Sequence, residues 1–556
     1  MKLLRLIIDS EKGFRSLGRG FEIRFHQSAD FETLNAFRPI CLVGLNGCGK
    51  SNVLEALSLI FYHIELCVGV HLPLSIKNGE SFSPKNGVLD AFTLEYLIQE
   101  PFKSLNSEPS LVKVTISKER GKIPVMFKQS PFEAKGKRDY IDLRNLSDGN
   151  VSLAKSYLPN YVVGYSSGEN ETLSIPFIKS RLIHLHEFKE ATVNDILNYA
   201  SPENGLIYID ANMSQAILLC CLLFEDNKTL QSLSSFDNTG ILGVTRFRMR
   251  LRETVFSSRI YSKEFSYFHL FKKSLFKQLD SCATMSWFDE DNRVYYFDFW
   301  VNDATKKAFR HYFHTGMQCF QMFRLLYELN MHEVTDLKEN EVFSSSGVYT
   351  KGKFSTPGSD DDVFHFLDFY IKKQVGSNGE TKELLLRQLS DGEQQFIHTM
   401  AICLLLKDSE SLILLDEPET HFNPSWRSRF VSILNETLQN ACSDQNANIK
   451  KEVIITSHSP FIISDCLSEN VIILDKNERG EACAATAAQK GILTYGTSIS
   501  LLMSQIFDST ASIGKLAEKG MQDVIEQGGT KEEIRKKLNE RFGDSVEKLL
   551  AIESLG

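Results

Sequence analysis

Gly44-Leu45-Asn46-Gly47-Cys48-Gly49-Lys50-Ser51 matches the phosphate-binding pattern G-x-x-x-x-G-K-[ST] without a mismatch. The apolar run before it, residues 40–43, predicts a buried strand, and residues 51–57 after it have helical periodicity. This order of strand, loop and helix is the context that the pattern requires. The sequence therefore predicts a nucleotide-binding loop rather than an ordinary glycine turn.

The chemistry of such a loop assigns a role to most of its residues. Glycines let the backbone N–H groups surround the phosphates, and the N-terminus of the following helix adds a partial positive charge. Lys50 is expected to reach the β- and γ-phosphates, and the Ser51 hydroxyl to hold Mg²⁺. The predicted cofactors are therefore ATP and Mg²⁺. The predicted ATP-binding residues are Gly44, Asn46, Gly47, Cys48, Gly49, Lys50, Ser51 and Asn52.

Composition limits the classes of partner. The net charge of −9 gives the 556-residue chain no overall attraction to nucleic acid or to an anionic membrane, so any contact with a polyanion must come from a local patch. The eleven cysteines lack metal-ligand spacing. The longest apolar run, residues 216–224, falls far short of the roughly 20 residues that a membrane span needs. With no signal peptide recognised, we expect a cytoplasmic protein that does not contact a membrane.

A basic stripe is predicted further along the chain. Between residues 245 and 252, arginine alternates with other residues at a period of two. A strand would place Arg246, Arg248, Arg250 and Arg252 on one face. Two interpretations remain open, namely a solvated strand face or a contact with phosphates or an acidic partner.

Residues 389–395 open a predicted helix with the sequence L-S-D-G-E-Q-Q. Ser390 can offer a hydroxyl and Gly392 a closely approaching backbone N–H to a phosphate at the start of the helix. Taken alone, Ser390 followed three residues later by Glu393 is also a capping box. The segment is therefore a candidate phosphate contact only in combination with the other motifs.

Residues 411–419 predict a buried strand that ends in two adjacent carboxylates, Asp416 and Glu417. Burying an unpaired charge costs free energy, so carboxylates at the end of a buried strand indicate a bound cation or a catalytic role. Asp416 is predicted to hold Mg²⁺ together with Ser51, and Glu417 to polarise the attacking water.

A further buried strand, residues 453–457, is followed by His458. A neutral imidazole at this position can contact the water, the γ-phosphate and a partner subunit. Glu417 and His458 are therefore the predicted catalytic residues.

The four motifs in this order resemble those of the ATP-binding-cassette ATPases of the SMC, RecF and OLD type. The resemblance implies an α/β fold, an ABC-type ATPase head with a mixed sheet around the phosphate loop and a β-rich lobe. It implies a head-to-tail dimer in which the signature residues Ser390, Gly392 and Glu393 act in trans on ATP held by the partner. It also implies that residues 14–17 lie near the nucleotide and that residues 419–424 face the other subunit.

Four segments follow from these assignments. Residues 1–177 are predicted to hold the phosphate loop and the β-rich lobe, and residues 178–340 to form a mainly helical insertion. Residues 341–476 are predicted to complete the head with the signature, the acidic strand and the switch histidine. Residues 477–556 are predicted to be a helical C-terminal region. The glutamine that such heads place near the nucleotide is not located, with Gln99 and Gln129 as the two candidates.

Finer features are similar to the defence-associated AAA-family ATPases of bacteria, and most to the PtuA family of Septu and retron systems. They are the loop 164–170, the compact insertion and residues 494–499. This resemblance implies an antiphage ATPase that works as a homodimer or higher oligomer beside a separate HNH nuclease. In the retron version it also implies a reverse transcriptase with its msDNA.

Two other functions stay open at this point. One is a RecF-like DNA repair ATPase that binds DNA directly. The other is a nuclease, which is disfavoured because no convincing acidic metal triad follows His458.

Overall fold

The structure is a computed structural model of the chain. It describes residues 1–26, 34, 36–101, 111–131, 138–144, 152–168, 171–196, 202–210, 213–258, 263–273, 275–331, 341–345, 362–441, 450–508 and 513–554. Of the residues singled out above, Glu169 and Asn170 lie outside this part of the chain. Helices and strands are both substantial, which confirms the predicted α/β class.

Within the described residues the strands form three larger sheets and one two-stranded antiparallel pair. In chain order they are β1 (Lys2–Ile8), β2 (Phe21–Arg24), β3 (Ile40–Val43), β4 (Phe92–Gln99), β5 (Leu111–Lys118), β6 (Val125–Gln129), β7 (Asp139–Ile141), β8 (Tyr161–Ser166), β9 (Leu206–Ile209), β10 (Ile241–Arg252), β11 (Val255–Ser258), β12 (Lys263–Ser266), β13 (Met285–Asp289), β14 (Val294–Trp300), β15 (Phe364–Gln374), β16 (Thr381–Leu385), β17 (Ser411–Asp416), β18 (Lys451–Thr456), β19 (Val471–Lys476) and β20 (Ala482–Thr486).

The helices of the described residues are α1 (Lys50–Val68), α2 (Leu74–Lys77), α3 (Glu171–Val193), α4 (Ser214–Phe224), α5 (Gln231–Ser234), α6 (His269–Lys273), α7 (Leu275–Cys282), α8 (Asp303–Phe313), α9 (Gly316–Glu328), α10 (Asp391–Leu405), α11 (Pro424–Arg427), α12 (Phe430–Ala441), α13 (Pro460–Ser464), α14 (Ile499–Phe507), α15 (Lys515–Glu526), α16 (Lys531–Arg541) and α17 (Val546–Glu553). In the same part of the chain, short 3₁₀ helices lie at Leu153–Tyr157, Leu329–Met331 and Leu386–Gln388.

A seven-stranded sheet brings the predicted motifs together. Its order is β20-β19-β3-β18-β17-β8-β9, and every pair except β19 with β20 is parallel. Strands β3, β17 and β18 are buried throughout their length, as expected for the centre of a parallel sheet. Because the carboxyl ends of parallel strands meet at one edge, the phosphate loop after β3, Asp416 and Thr456 lie side by side.

The helix that follows the phosphate loop, α1, lies in the core of the protein. Among the described helices it alone has the length and apolar composition of a membrane span, and 78% of its apolar window is buried inside the protein. Its apolar side chains join those of β1, β4 and β5 in one buried cluster. The apolar character of α1 is therefore explained by packing within the chain.

The predicted β-rich lobe is a six-stranded antiparallel sheet with the order β2-β1-β4-β5-β6-β7. Strand β1 pairs on one side with β2 and on the other with β4, so the first residues of the chain are built into this lobe. The glutamine candidates Gln99 and Gln129 both lie here.

The segment predicted as a mainly helical insertion also contains a sheet that the sequence did not predict. Helices α4 to α9 occupy much of it, but β10, β13 and β14 pair with β15 and β16 in a five-stranded antiparallel sheet. The sequence pattern of residues 304–331 is that of a long amphipathic segment. The structure has two helices there, because His314 takes a non-helical backbone conformation with a φ of 54° and Thr315 caps α9 by accepting a hydrogen bond from the Gln318 N–H.

The predicted boundaries at 177 and 340 do not coincide with divisions of the fold. Helix α3 runs across the boundary at 177, and β9 belongs to the seven-stranded sheet. The five-stranded sheet extends past 340 as far as Leu385. The four-segment division remains a prediction. Strand β9, which lies in the segment predicted as the insertion, pairs with β8 and is an edge strand of the central sheet.

Candidate functional site

The phosphate loop has a backbone that only glycine can adopt at two of its positions. Gly44 and Gly49 have φ angles of 140° and 108°, outside the range of ordinary residues. A Cβ at Gly44 would lie 2.2 Å from the Leu474 carbonyl oxygen, and a Cβ at Gly49 would lie 2.6 Å from the Ser16 Oγ. The loop is thus held against the end of β19 on one side and against residue 16 on the other.

Lys50 is buried at the base of this loop. Its Nζ donates hydrogen bonds to the carbonyl oxygens of Gly44 (3.1 Å) and Leu45 (3.2 Å). Burial lowers the pKa of Lys50, and the nearby Glu417 and Asp416 carboxylates act in the opposite direction. A buried ammonium group at the start of a helix, beside a loop rich in backbone N–H groups, suits a phosphate.

Ser51 and Asp416 meet as predicted for a shared cation. The Ser51 Oγ donates to the Asp416 Oδ1 at 2.9 Å across the gap between α1 and β17. A hydroxyl and a carboxylate oxygen are the ligand types that Mg²⁺ prefers, with water completing its shell. The residues present therefore fit this ion.

Thr456 is a part of the site that the sequence did not predict. Its Oγ1 donates to the same Asp416 Oδ1 at 2.7 Å and accepts from the Glu417 N–H at 3.0 Å. Thr456 thereby fixes both adjacent carboxylate residues from the neighbouring strand. A signal was present in the sequence, since Thr456 is a polar residue that directly follows the apolar run 453–455 at the end of the strand.

Glu417 and His458, the predicted catalytic pair, lie next to each other. Glu417 has a φ of 49°, a left-handed conformation that is uncommon outside glycine. The His458 Nε2 lies 3.4 Å from the Glu417 Oε1. The neighbouring His458 is the main reason that the pKa of Glu417 is lowered, so the carboxylate is held in its charged form.

Glu419 is a second buried carboxyl group beside this pair. It accepts a hydrogen bond from the Ser457 hydroxyl, whose oxygen accepts from the Ser459 N–H at 2.9 Å. Burial raises the pKa of Glu419 to about 7. Glu419 therefore joins the chain after β17 to the loop that carries His458.

Residues 14–17, which the resemblance places near the nucleotide, contact the first turns of α1. The Asn52 Nδ2 donates to the Ser16 Oγ at 2.7 Å. The Arg15 Nη2 donates to the Glu55 Oε1 at 2.9 Å, and Arg15 has a left-handed φ of 55°. These contacts hold the segment beside the phosphate loop.

The signature residues lie at the N-terminus of α10. Ser390 and Glu393 form the expected capping box, with the Ser390 Oγ accepting from the Glu393 N–H. Glu393 also forms an ion pair with Lys373. A Cβ at Gly392 would lie 2.7 Å from the His421 carbonyl oxygen, so close packing in the same chain already requires glycine there.

The structure does not bring the signature to the phosphate loop of the same chain. In the part of the chain that the structure describes, no hydrogen bond or ion pair joins Ser390, Gly392 or Glu393 to residues 44–52. The signature helix contacts residues 419–424 instead, because the Gln395 Oε1 accepts from the His421 N–H at 3.0 Å.

The two glutamine candidates are not at the site. The backbone N–H of Gln99 donates to Glu410, and the Gln129 Oε1 accepts from Arg138. The loop after β8 does reach the site, since the Ser167 N–H donates to the Asp416 carbonyl oxygen at 3.2 Å and the Ser167 Oγ lies 2.9 Å from the Thr420 Oγ1.

Comparison with known proteins identifies a family match over part of the chain. Residues 253–464 match the family described as "AAA domain, putative AbiEii toxin, Type IV TA system". The chain is similar to AAA-type ATPases. A stretch of 131 residues is also 31% identical to the Septu protein PtuA of Bacillus mycoides (strain KBAB4). This confirms the predicted resemblance to AAA-family ATPases that are similar to PtuA.

The extent of the likeness to PtuA is limited. The stretch covers 22% of this chain and 16% of the length of that relative. The SMC head domain from Thermotoga maritima is 12% identical with a TM-score of 0.31, covering 87% of this chain and 99% of that one. An SMC head bound to the C-winged helix domain of ScpA is 10% identical with a TM-score of 0.29, covering 88% and 99% respectively. Both scores are low.

Proposed function

We propose that this chain hydrolyses ATP at the edge of the seven-stranded sheet. One observation carries the proposal: the Ser51 hydroxyl that follows the phosphate-loop lysine lies 2.9 Å from Asp416, and the Oε1 of Glu417 beside it lies 3.4 Å from the His458 Nε2. A phosphate cradle, a cation site and an oriented carboxylate are the three parts that phosphoryl transfer to water requires. All three lie at the carboxyl ends of neighbouring parallel strands.

Each residue has a distinct task in this proposal. Lys50 neutralises phosphate charge, and Ser51 and Asp416 hold Mg²⁺. Glu417 orients the attacking water and accepts its proton, while His458 holds the Glu417 carboxylate and senses the γ-phosphate. When bound, ATP and Mg²⁺ supply the transferable phosphoryl group and the charge that polarises it. Positioning and electrostatics then provide most of the catalysis.

The biological role that we propose is that of the ATPase component of a cytoplasmic antiphage defence system. The similarity to PtuA supports this role. In this proposal the chain forms an ATP-dependent homodimer or higher oligomer, with Ser390, Gly392 and Glu393 of each subunit facing the ATP of the other. The dimer regulates a separate HNH nuclease, and in a retron setting it also holds a reverse transcriptase with its msDNA.

Glu417→Gln tests the catalytic assignment. The amide keeps the size of the side chain but cannot take the proton, so we expect ATP affinity to stay within a few fold while turnover falls about 100-fold or more. The variant should also accumulate as an ATP-bound dimer, measured by native mass spectrometry. Normal turnover together with an unchanged mass would refute the assignment. Lys50→Ala is the matched control, because it should lose ATP binding itself.

The partner proposal is tested by co-expression with the neighbouring genes. Native mass spectrometry with ATP and Mg²⁺ should find the homodimer together with a nuclease, or with a reverse transcriptase and nucleic acid. A dimer that ignores these neighbours and captures free DNA would support a RecF-like repair ATPase instead. Metal-dependent cleavage of nucleic acid by the purified chain would show that it is itself a nuclease.

A further inference from the structure

The five-stranded sheet has one face that the phosphate site does not use. One side of its long strand β10 is covered by the protein, where Phe247 stacks on Phe299 with ring centroids 4.3 Å apart and Phe309 of α8 packs on both. The opposite side carries the alternating arginines, all of them partly exposed. The sheet therefore has a closed phenylalanine side and an open arginine side.

Aromatic rings lie between these arginines. We call this side the arginine face. In the pairing register Arg246 lies between Trp300 and Tyr370, and Arg250 lies beside Tyr296, which itself pairs with Trp287. The arginine face consists of Arg246, Arg248, Arg250 and Arg252 on β10, Trp287 on β13, Tyr296 and Trp300 on β14, and Tyr370 on β15.

The flat groups of the arginine face are already stacked. The Arg246 guanidinium lies 3.9 Å from the Tyr370 ring centroid and 5.3 Å from that of Trp300. The rings of Trp287 and Tyr296 stack at 4.9 Å. Trp300 is 58% exposed although it is large and apolar. The exposed rings and guanidinium groups of such a surface can stack with further planar groups of a ligand.

Carboxylates hold the guanidinium groups in place. Arg248 makes two hydrogen bonds with Asp298, at 2.5 and 2.7 Å, and the Nε of Arg246 lies 3.5 Å from the Glu383 Oε1. Asp368 lies opposite Arg248 on β15. The net charge of the arginine face is therefore small. A ligand held mainly by phosphate neutralisation does not fit it, whereas one that stacks planar groups and brings a few phosphates does.

The geometry points to a binding site for single-stranded nucleic acid on the arginine face. Unpaired bases would stack on Trp300, Trp287 and the guanidinium planes, and the arginines would contact the phosphates between them. A duplex hides its bases, so it offers the arginine face only phosphates. Binding should depend weakly on salt, with a log–log slope of about −1.5 to −2 for two or three phosphate contacts, less steep than that of a strongly basic groove.

Tryptophan fluorescence tests the site directly. Two of the three tryptophans of the chain lie on the arginine face, and the third, Trp426, packs against Phe396 at 5.2 Å elsewhere. In the full-length Trp426→Phe variant the signal comes from Trp287 and Trp300 alone. We expect a 12-nucleotide single strand to quench it, and a 12-base-pair duplex to leave it unchanged. Oligo-dT and oligo-U titrated in parallel decide between DNA and RNA.

Single substitutions locate the binding. Measured by anisotropy of a labelled single strand, Trp300→Ala should weaken binding about 5- to 100-fold, and Trp300→Phe should recover most of the loss because the ring remains. Tyr140→Ala is the matched control, since Tyr140 is also 58% exposed on a strand but lies in the β-rich lobe. It should bind normally. Melting temperatures show that each variant is folded.

Several results would overturn the proposal. The site would be excluded if neither oligo-dT nor oligo-U quenched the fluorescence. It would also be excluded if Trp300→Ala bound the labelled single strand as tightly as the unchanged protein does. Quenching by poly-glutamate in place of an oligonucleotide would assign the arginine face to an acidic protein. The proposal is independent of ATP hydrolysis, so Lys50→Ala should bind the single strand normally. A loss of binding in that variant would place the nucleic-acid contact in an ATP-dependent assembly instead.

Discussion

Thr456 shows how single side chains prepare the candidate site. It lies on β18, yet its hydroxyl contacts both Asp416 and the backbone of Glu417 on β17. A buried carboxylate that accepts hydrogen bonds from two hydroxyls, those of Thr456 and Ser51, is fixed in position before any cation arrives. Pre-organisation of this kind avoids the cost of orienting the group during the reaction.

Thr456→Val is expected to damage both stability and turnover. Valine keeps the shape but removes both hydrogen bonds, which should lower the stability by about 1–3 kcal/mol and reduce ATP turnover about tenfold or more. Melting temperature and ATPase rate measure the two effects. Thr437→Val is the control, because Thr437 donates a buried hydrogen bond to Ile433 in α12, away from the site. It should lose stability only, and a similar loss of turnover in both variants would contradict the role of Thr456.

Glu419 makes the stability of the protein depend on pH. Burial raises its pKa to about 7, from an ordinary value of 4.5 in the unfolded chain. Between these two values the folded protein keeps a proton that the unfolded chain has released. The contribution of Glu419 to stability therefore falls as the pH rises from about 4.5 to 7, by roughly 3 kcal/mol in all.

Glu419→Gln removes this dependence. The amide oxygen can still accept from Ser457, and there is no proton left to lose. We expect the stability of the variant, relative to that of the unchanged protein, to be about 2–3 kcal/mol higher at pH 8 than at pH 4.5. Melting temperatures of both proteins at the two pH values measure this change. Glu436→Gln, an exposed carboxyl on α12, should show no such shift. A Glu419→Gln difference that is the same at both pH values would count against the buried titration.

At the scale of elements, the signature residues at the start of α10 have two possible roles, one structural and one in contact with a partner subunit. Its capping box explains Ser390 and Glu393 from within the chain, and the carbonyl of His421 explains Gly392. The resemblance to dimeric ATPases adds a role in trans for the same residues. A capping box of the same type at the start of α16, formed by Thr530 and Glu533, allows the two roles to be separated.

Ser390→Ala and Thr530→Ala should differ in function but not in stability. In both boxes the capping oxygen accepts a backbone hydrogen bond at 3.3 Å, so each loss should destabilise the helix that it caps by about 1 kcal/mol. Only Ser390→Ala is expected to reduce ATP turnover and the ATP-induced dimer, because only Ser390 is proposed to face the nucleotide of the partner. Turnover measured alongside native mass decides this. Equal turnover in the two variants would leave Ser390 with its capping role alone.

The limits of prediction are clearest for these elements. The phosphate loop, the acidic strand and the strand before His458 were predictable because each combines a buried apolar run with a polar end, a local pattern. The five-stranded sheet was not predicted because its central strand, β10, pairs with β15, which lies more than a hundred residues further along the chain. Aromatic residues in β13 and β14 gave no clean alternation, so helices and strands could not be told apart there. The contact of Thr456 with Asp416 likewise depends on which strands become neighbours.

Across the whole molecule, buried apolar surface is unevenly divided. Two large clusters surround the central sheet, with α1 in one and α4, α10 and α12 in the other. Helices α15 to α17 form a separate cluster around Met521, Val524, Ile534 and Leu538. Leu516 on the same helices is 86% exposed. A core of four buried side chains gives little resistance to local unfolding.

We therefore expect helices α15 to α17 to open independently of the ATPase head. Their amide hydrogens should exchange at least tenfold faster than those of α1, measured by hydrogen exchange with mass spectrometry. A chain truncated after Asp508 should keep its melting temperature within about 3 °C and its ATP turnover, because the central clusters include no residue of these helices. Truncation after Ile492 is the harsher control, since it also removes Leu502 and Ile506, which are buried in the first of those clusters. If the shorter truncation were as damaging as the longer one, the C-terminal helices would have to support the head through contacts other than a shared core.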